Sequence, residues 1–460
     1  MAAGFLQRER IIAPPGWSRW LIPPAALSIH LAIGQAYAWS VFKAPLEKGL
    51  GISGVESALP FTLGIIMLGI SAAVFGTRVD ANGPRWAMFV SSCCFVSGFL
   101  ISALGLWLGQ YWLVVVGYGF VGGIGLGIGY ISPVSTLIKW FPDRPGLATG
   151  IAIMGFGGGA LIASPLTSQL LAAFGGTGDS PDVHGIAQTF LVMGLIYAVF
   201  MSVGWLLIRV PAEGWRPAGW DPSMGRQSAM ITRSHVSARN AIKTPQFWLL
   251  WVVLCFNVTA GIGILERANP IFIDFFRNST PAEVLAAAAV GFVSILSLAN
   301  SLGRLLWSSV SDYLGRKNMY RIYLGVGALL YLTLTLTTNS NRVVFLLCSI
   351  LILSFYGAGF ATVPAYLRDL FGTYQVGAIH GRLLTAWSTA GVLGPLIVNA
   401  VADAQIAAGV QGPGRYTPAF MVMIVLLVIG FISNELIRPV NEKYHEPAAA
   451  EAGAKTGVQA

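Results

Sequence analysis

Charge is what this chain has least of. Only 10% of its 460 residues are Asp, Glu, Lys or Arg, whereas 55% are hydrophobic, and the mean hydropathy is +0.69. A soluble chain of this length could not hide so much apolar surface, so the composition points to an integral membrane protein. Cysteine is also scarce. Cys93, Cys94, Cys255 and Cys348 sit in apolar runs with neither metal-ligand spacing nor a disulfide pattern, and read as small core residues. The G-x-G spacings are not phosphate loops, because no strand precedes them and no lysine follows in the right place. The absence of a Walker motif excludes an ATP-driven pump. No nucleophile, base and oxyanion set and no metal-ligand cluster converges, so neither an enzyme nor a cofactor or metal is expected. The first apolar run lacks a small-residue cleavage site behind it and is expected to be a retained span.

What is there is apolar sequence in twelve runs, each long enough to cross a bilayer as a helix of about 20 residues. They cover approximately 20–42, 58–77, 86–108, 111–137, 147–172, 187–208, 246–272, 286–308, 319–338, 343–366, 380–401 and 417–437. The expected organisation is an N-terminal tail 1–19, a six-helix bundle 20–208, a linker 209–245, a second bundle 246–437 and a C-terminal tail 438–460. The last twenty or so residues read as disordered. Of the 28 Lys and Arg residues, 21 fall in or beside the tails and even-numbered loops, and five in the odd-numbered loops. By the positive-inside rule both termini are expected in the cytoplasm. The net charge of +9 is then membrane topology and gives no reason to invoke nucleic acid.

The chain repeats itself at half its length. Gly76-Thr-Arg-Val-Asp-Ala-Asn-Gly-Pro-Arg85 follows the second span, and Ser308-Ser-Val-Ser-Asp-Tyr-Leu-Gly-Arg-Lys317 follows the eighth. Two pseudo-symmetric six-helix halves with substrate between them is the architecture this implies. In each copy an acid and a base can cap helix ends and pair across to a neighbouring helix in one of two states. Asp80, Arg85, Asp312 and Arg316 are therefore candidates for a cytoplasmic gate.

Inside the eighth span stands Arg304. A guanidinium keeps its proton in hydrocarbon, at a cost of about 2.5 kcal/mol or more, and needs an anion, a water-filled cavity or a fixed partner. Asn300, one turn earlier, shares its face, and together they could grip a carboxylate. The alternative is a structural pairing with backbone carbonyls or a nearby acid. Tyr130 and Tyr356 fall at similar depth, and either phenol could bond a substrate hydroxyl or carbonyl; core packing is the alternative for both. His30, near the midplane of the first span, is read as the one intramembrane side chain that titrates near neutral pH without large perturbation, and is a candidate for proton coupling or for hydrogen-bonded packing. Gln35 reads as interhelical glue. Glu266 and Arg267, at the outer end of span seven, read either as a protonatable gate residue and an anion attractant or as interfacial charges. Glycine-rich spans four and five suit closely approaching, sliding helices.

The D-x-x-G-[PR]-[RK] turn, here GTRVDANGPR and less completely SSVSDYLGRK, resembles the signature of the major facilitator superfamily. Within it, RWLIPPAALSIHLAIGQAYAWSVFKAPL, GLGIGYISPVSTLIKWFPDRPGLATGIAIMGFGGGALIASP, VPAEGWRPAGWDP, NSLGRLLWSSVSD and LLTAWSTAGVLGP look like the oxalate:formate antiporter family, which also resembles monocarboxylate transporters. The resemblance implies an all-α, twelve-helix secondary transporter of small carboxylates in a bacterial inner membrane, working by alternating access. In oxalate-transporting members an arginine of span eight and a lysine of span eleven hold the dianion. The arginine carries over to Arg304, while Trp387 occupies the lysine position and span eleven holds no lysine. One fixed cation suits a monoanion. The resemblance, so modified, implies a proton-coupled, monomeric monocarboxylate carrier of lactate or pyruvate type with Trp387 at the substrate site. An oxalate/formate-type exchanger is the alternative, and a non-transporting membrane sensor a remote one.

Overall fold

Helix boundaries follow capping chemistry and not the limits of the apolar runs. The computed structural model describes residues 2–177, 180–221, 228, 230–232, 234–277, 280–337 and 342–447. The second run, expected over 58–77, becomes a helix over Gly54–Asn82. It starts at a reciprocal capping box, with Ser53 Oγ accepting from the Glu56 amide and Glu56 accepting from the Ser53 amide, and it stops where Gly83 adopts φ 90°. Expected spans three and four nearly touch, and the structure joins them through Leu108 to Gln110, with Gly109 at φ 65°.

Twelve spans result. They are α1 (Arg19–Ala38 and, after a 46° bend, Ser40–Leu50), α2 (Gly54–Asn82), α3 (Pro84–Trp107), α4 (Tyr111–Trp140), α5 (Pro145–Ala173) and α6 (Val183–Leu207) in the first half. The second half holds α7 (Pro245–Glu266), α8 (Ala282–Leu314), α9 (Arg316–Leu336), α10 (Arg342–Phe371), α11 (Val376–Ala407) and α12 (Gly412–Leu436). Among the described residues ten helices are long and apolar enough to cross a membrane on their own; bent α1 and the 33-residue α8 complete the set. The bend in α1 falls in a 3-10 turn, Gly34–Ala38. A Cβ on Gly34 would lie 3.0 Å from the Gly159 Cα of α5, so the two backbones touch there. Lipid provides no hydrophobic drive between helices, and such small-residue contacts supply the dispersion that holds them.

The described segments before α1 and after α12 share one end of the bundle with the linker. Ile12 bridges to Val210, the Val236 amide bonds Phe371 O, and the Glu446 amide bonds His235 O. Residues 448–460, expected to be a tail, lie outside the described residues. The halves meet chiefly through α5 against α8 and α10, and α2 against α11.

Candidate functional site

Arg304 lies where these interhalf contacts cross. Its side chain is fully buried. Nε donates to Asn300 Oδ1 at 3.2 Å, and Nη1 donates to Ile153 O of α5 at 3.2 Å. The guanidinium carbon stands 5.3 Å from the Phe360 ring centre and 5.9 Å from that of Phe156. Glycines make the room: a Cβ on Gly157 would sit 2.8 Å from Arg304 Nε, and one on Gly357 3.0 Å from Arg304 Cγ. Among the described residues no carboxylate pairs with this cation, and Nη2 has no protein partner. Carbonyls and aromatic faces offset part of the desolvation of a buried charge, which still costs several kcal/mol without a counterion.

Three more buried polar atoms are unpartnered: Tyr130 Oη, Trp387 Nε1, whose ring packs on the same Phe156 and Phe360 that flank the guanidinium, and His380 Nε2, which joins the cluster through Tyr130. The Tyr130 ring lies 5.5 Å from Trp387 and 5.8 Å from His380, and Trp387 packs 5.3 Å from Phe156 and 4.7 Å from Phe360. Buried polar groups are nearly always hydrogen-bonded, so this concentration beside an unpaired arginine demands a chemical reason. A carboxylate, which accepts through about four lone-pair positions and carries the opposite charge, matches the set. Of the expected site residues, Arg304, Asn300, Tyr130 and Trp387 are brought together.

Tyr356 is differently placed. Its hydroxyl pairs with that of Tyr37 at 3.2 Å, a contact from α10 to α1 across the halves. His30 is clamped within the first half, with Nδ1 2.5 Å from Ala152 O and Nε2 3.0 Å from Tyr130 O, its ring stacked on Tyr130. Gln35 accepts from the Tyr118 hydroxyl at 2.9 Å and so joins α1 to α4. Arg267 is held by Asn399 Oδ1 and lies 3.6 Å from Asp403, both on α11. The side chain of Glu266 lies outside the described residues.

At the linker end, two carboxylates reach reciprocally across the halves. Asp80 of α2 accepts from the Ala378 amide at the start of α11 at 2.8 Å. Asp312 of α8 accepts from the Gly146 and Leu147 amides at the start of α5, at 2.8 and 3.0 Å. Each sits where the helix dipole and free N–H groups favour an anion. Arg316 bridges Asp312 at 2.6 Å and Asp369 at 3.3 Å. Arg85 does not join the halves; it donates to the carbonyls of Trp205, Leu206, Ile208 and Phe5. Where the second repeat has Ser308 in place of glycine, the partner helix supplies the small residue, Gly150 of α5. An open cavity of about 820 Å³ lies outside this closure, lined by Arg216, Trp220, Asp312, Arg316, Lys317 and Asp369, and contains none of the unpartnered donors.

His380, Phe156, Phe360 and Tyr37 were not singled out by the sequence. The view of His30 as the one titrating side chain within the spans is corrected here: span eleven, expected from residue 380, begins at Val376, and His380 is 2% exposed. The available signal was spacing, since His380 precedes Trp387 by seven residues, two helical turns.

The family model of the Major Facilitator Superfamily matches residues 25–395 and again 268–460. The chain is 27% identical over 389 residues to the oxalate:formate antiporter of Oxalobacter formigenes, covering 84% of this chain and 85% of that protein. It is 26% identical over 316 residues to apicoplast pyruvate carrier 1 of Toxoplasma gondii, covering 60% and 57%. In three dimensions it superposes on the crystal structure of the transporter FucP in its outward conformation with a TM-score of 0.66 at 14% identity, covering 91% of this chain and 98% of that one.

Proposed function

The chain belongs to the Major Facilitator Superfamily, and on that premise we propose that it is a secondary transporter of small monocarboxylates of the lactate or pyruvate type, coupled to protons. The observation that carries the reading is Arg304, buried with no acidic partner among the described residues and near the unpartnered Tyr130 and Trp387 donors. Similarity to an oxalate:formate antiporter and to a pyruvate carrier agrees with a carboxylate cargo. With Trp387 at the position of the family's lysine, the fixed charge at the site is one, which suits a monoanion. The protein acts as a monomer in a bacterial inner membrane with both termini in the cytoplasm.

Transport follows from the energetics of that charge. An anion bound at Arg304 removes the penalty of enclosing an unpaired guanidinium, so the loaded carrier reorients more readily than the empty one. Tyr37 and Tyr356 close the site from outside, while Asp80 and Asp312 hold the linker end shut through the two helix ends that they cap. Asp312→Ala removes the two charge-assisted bonds that cross the halves and the pairing with Arg316, each worth about 1.5–3 kcal/mol at most, and is expected to open the linker end. A cysteine placed at Ser301 in a protein without its native cysteines should then be alkylated from that side several-fold faster. An unchanged rate would take Asp312 out of the gate.

Uptake of labelled L-lactate and of oxalate into proteoliposomes tests the assignment, with and without an inward proton gradient and with either anion preloaded. Gradient-driven lactate uptake without preloading is the expected result. Strict dependence on an internal anion, with oxalate accepted, would replace symport by exchange. No uptake of either would remove the carboxylate reading.

A further inference from the structure

We propose that His380 carries the co-transported proton, acting as the switchable second cation of the anion site. The proposal rests on the carboxylate reading above and assigns its proton-binding group. Three geometric observations support it. His380 and Trp387, seven residues apart on α11, lie on one face and both pack on Tyr130, so the imidazole borders the same cluster as the residue standing in the lysine position. Its Nε2 is buried and unpartnered. Finally, it lies two residues beyond Ala378, whose amide is held by Asp80 of the opposite half.

That last placement separates His380 from His30. A group that couples protons to transport must change surroundings between the two access states. His30 belongs to the first half, and so do both carbonyls facing it, Ala152 of α5 and Tyr130 of α4. The three move as one body when the halves rock. His380 belongs to the second half but faces Tyr130 of the first, so opening the linker end uncovers it. Both nitrogens of His30 already face backbone oxygens, whereas His380 has a nitrogen to offer.

The charged and titratable groups around His380 set the sign. Tyr130 of α4 faces the ring with His30 of α1 behind it, Arg382 follows on α11 itself, and Asp80 of α2, which holds Ala378, has Lys139 of α4 and Arg8 near it. From α10, Arg368 and Asp369 face Arg316. The short helix Ala238–Ala241, which also packs on α11, brings Arg239. Asp80 accepts from the Ala378 amide through Oδ2, its Oδ1 has no hydrogen-bond partner among the described residues, and it lies near Lys139. No carboxylate of the protein pairs with His380 among the described residues, so an imidazolium there requires an anion supplied from outside the chain. One proton at Nε2 and one carboxylate shared between the imidazolium and Arg304 load together, so the cargo adds no net charge and both cations face the same anion. Proton and carboxylate leave on the other side, where water solvates them separately. A lysine in this role would keep its charge and favour a dianion; a histidine is charged only when loaded.

The test uses full-length protein in proteoliposomes. At one proton per monoanion, an inward gradient of one pH unit supports about tenfold lactate accumulation in the unmodified protein. His380→Gln is expected to abolish that accumulation and to leave lactate:lactate exchange, which needs no net proton movement, slower but independent of pH. A proton-sensitive dye inside the vesicles should register no lactate-dependent acidification. Gradient-driven accumulation surviving in His380→Gln would overturn the proposal, as would its loss in His30→Gln alone. If His380→Gln fails to fold, His380→Asn serves as the second variant, and a pH profile of uptake unchanged by it overturns the proposal equally. Absence of lactate transport in the unmodified protein would instead strike at the carboxylate reading.

Discussion

Arg304→Lys is expected to lower the initial rate of carboxylate uptake on the order of 10- to 100-fold with the protein folded. The charge is retained, so any effect isolates geometry. The guanidinium makes two directed contacts, Nε to Asn300 and Nη1 to the Ile153 carbonyl, and turns Nη2 to no acceptor among the described residues. A lysine ammonium is a point charge on a flexible stem and cannot keep both fixed bonds while presenting a third donor to an anion. Losing one charge-assisted bond costs about 1.5–3 kcal/mol, and each 1.4 kcal/mol is about a factor of ten. Uptake together with ligand-induced thermal stabilisation separates the outcomes. Near-normal uptake would remove Arg304 from the substrate site, whereas loss of uptake with lactate stabilisation intact would move its role from binding to reorientation.

Gly34→Leu is expected to cost about 3 kcal/mol or more of stability and most of the folded yield in detergent. Gly34 and Gly159 face each other across α1 and α5, and a Cβ on either would fall well inside the contact distance of the opposite backbone. Relief requires the helices to part. Parting them also disturbs Phe156, whose carbonyl meets Gly34 and whose ring lies beside Arg304 and Trp387. Monodispersity on size exclusion and the melting temperature are the readouts. A variant that melts like the parent would show that the α1 bend does not depend on this contact.

Much of the architecture was legible in one dimension, because bilayer thickness sets a length that the apolar runs must meet. Twelve runs, the repeat of the Asp80 and Asp312 turns and the weak charge of the spans needed no tertiary information. The span limits were less legible. Capping groups such as Ser53 and Glu56 carry α2 beyond its apolar stretch, and α11 begins four residues before the expected position. That shift turned His380 from a boundary residue into a buried one. The repeat also aligns Arg85 with Lys317, and both donate to carbonyls at the end of the last helix of their own half, whereas Arg316, at the position of Pro84, meets acids.

That the chain spans a membrane, that its halves repeat, and that a guanidinium at Arg304 needs a counterpart all follow from residue order, since composition and helical length answer to hydration and geometry alone. Only the tertiary structure decided which polar atoms meet that arginine and which remain without protein partners. It brought Trp387 and His380 to Tyr130, clamped His30 between two carbonyls, and turned Asp80 and Asp312 onto helix ends of opposite halves. Contacts between residues a hundred or more positions apart depend on how twelve helices pack, and no local pattern encodes which of the donors on one helix face is left for the substrate.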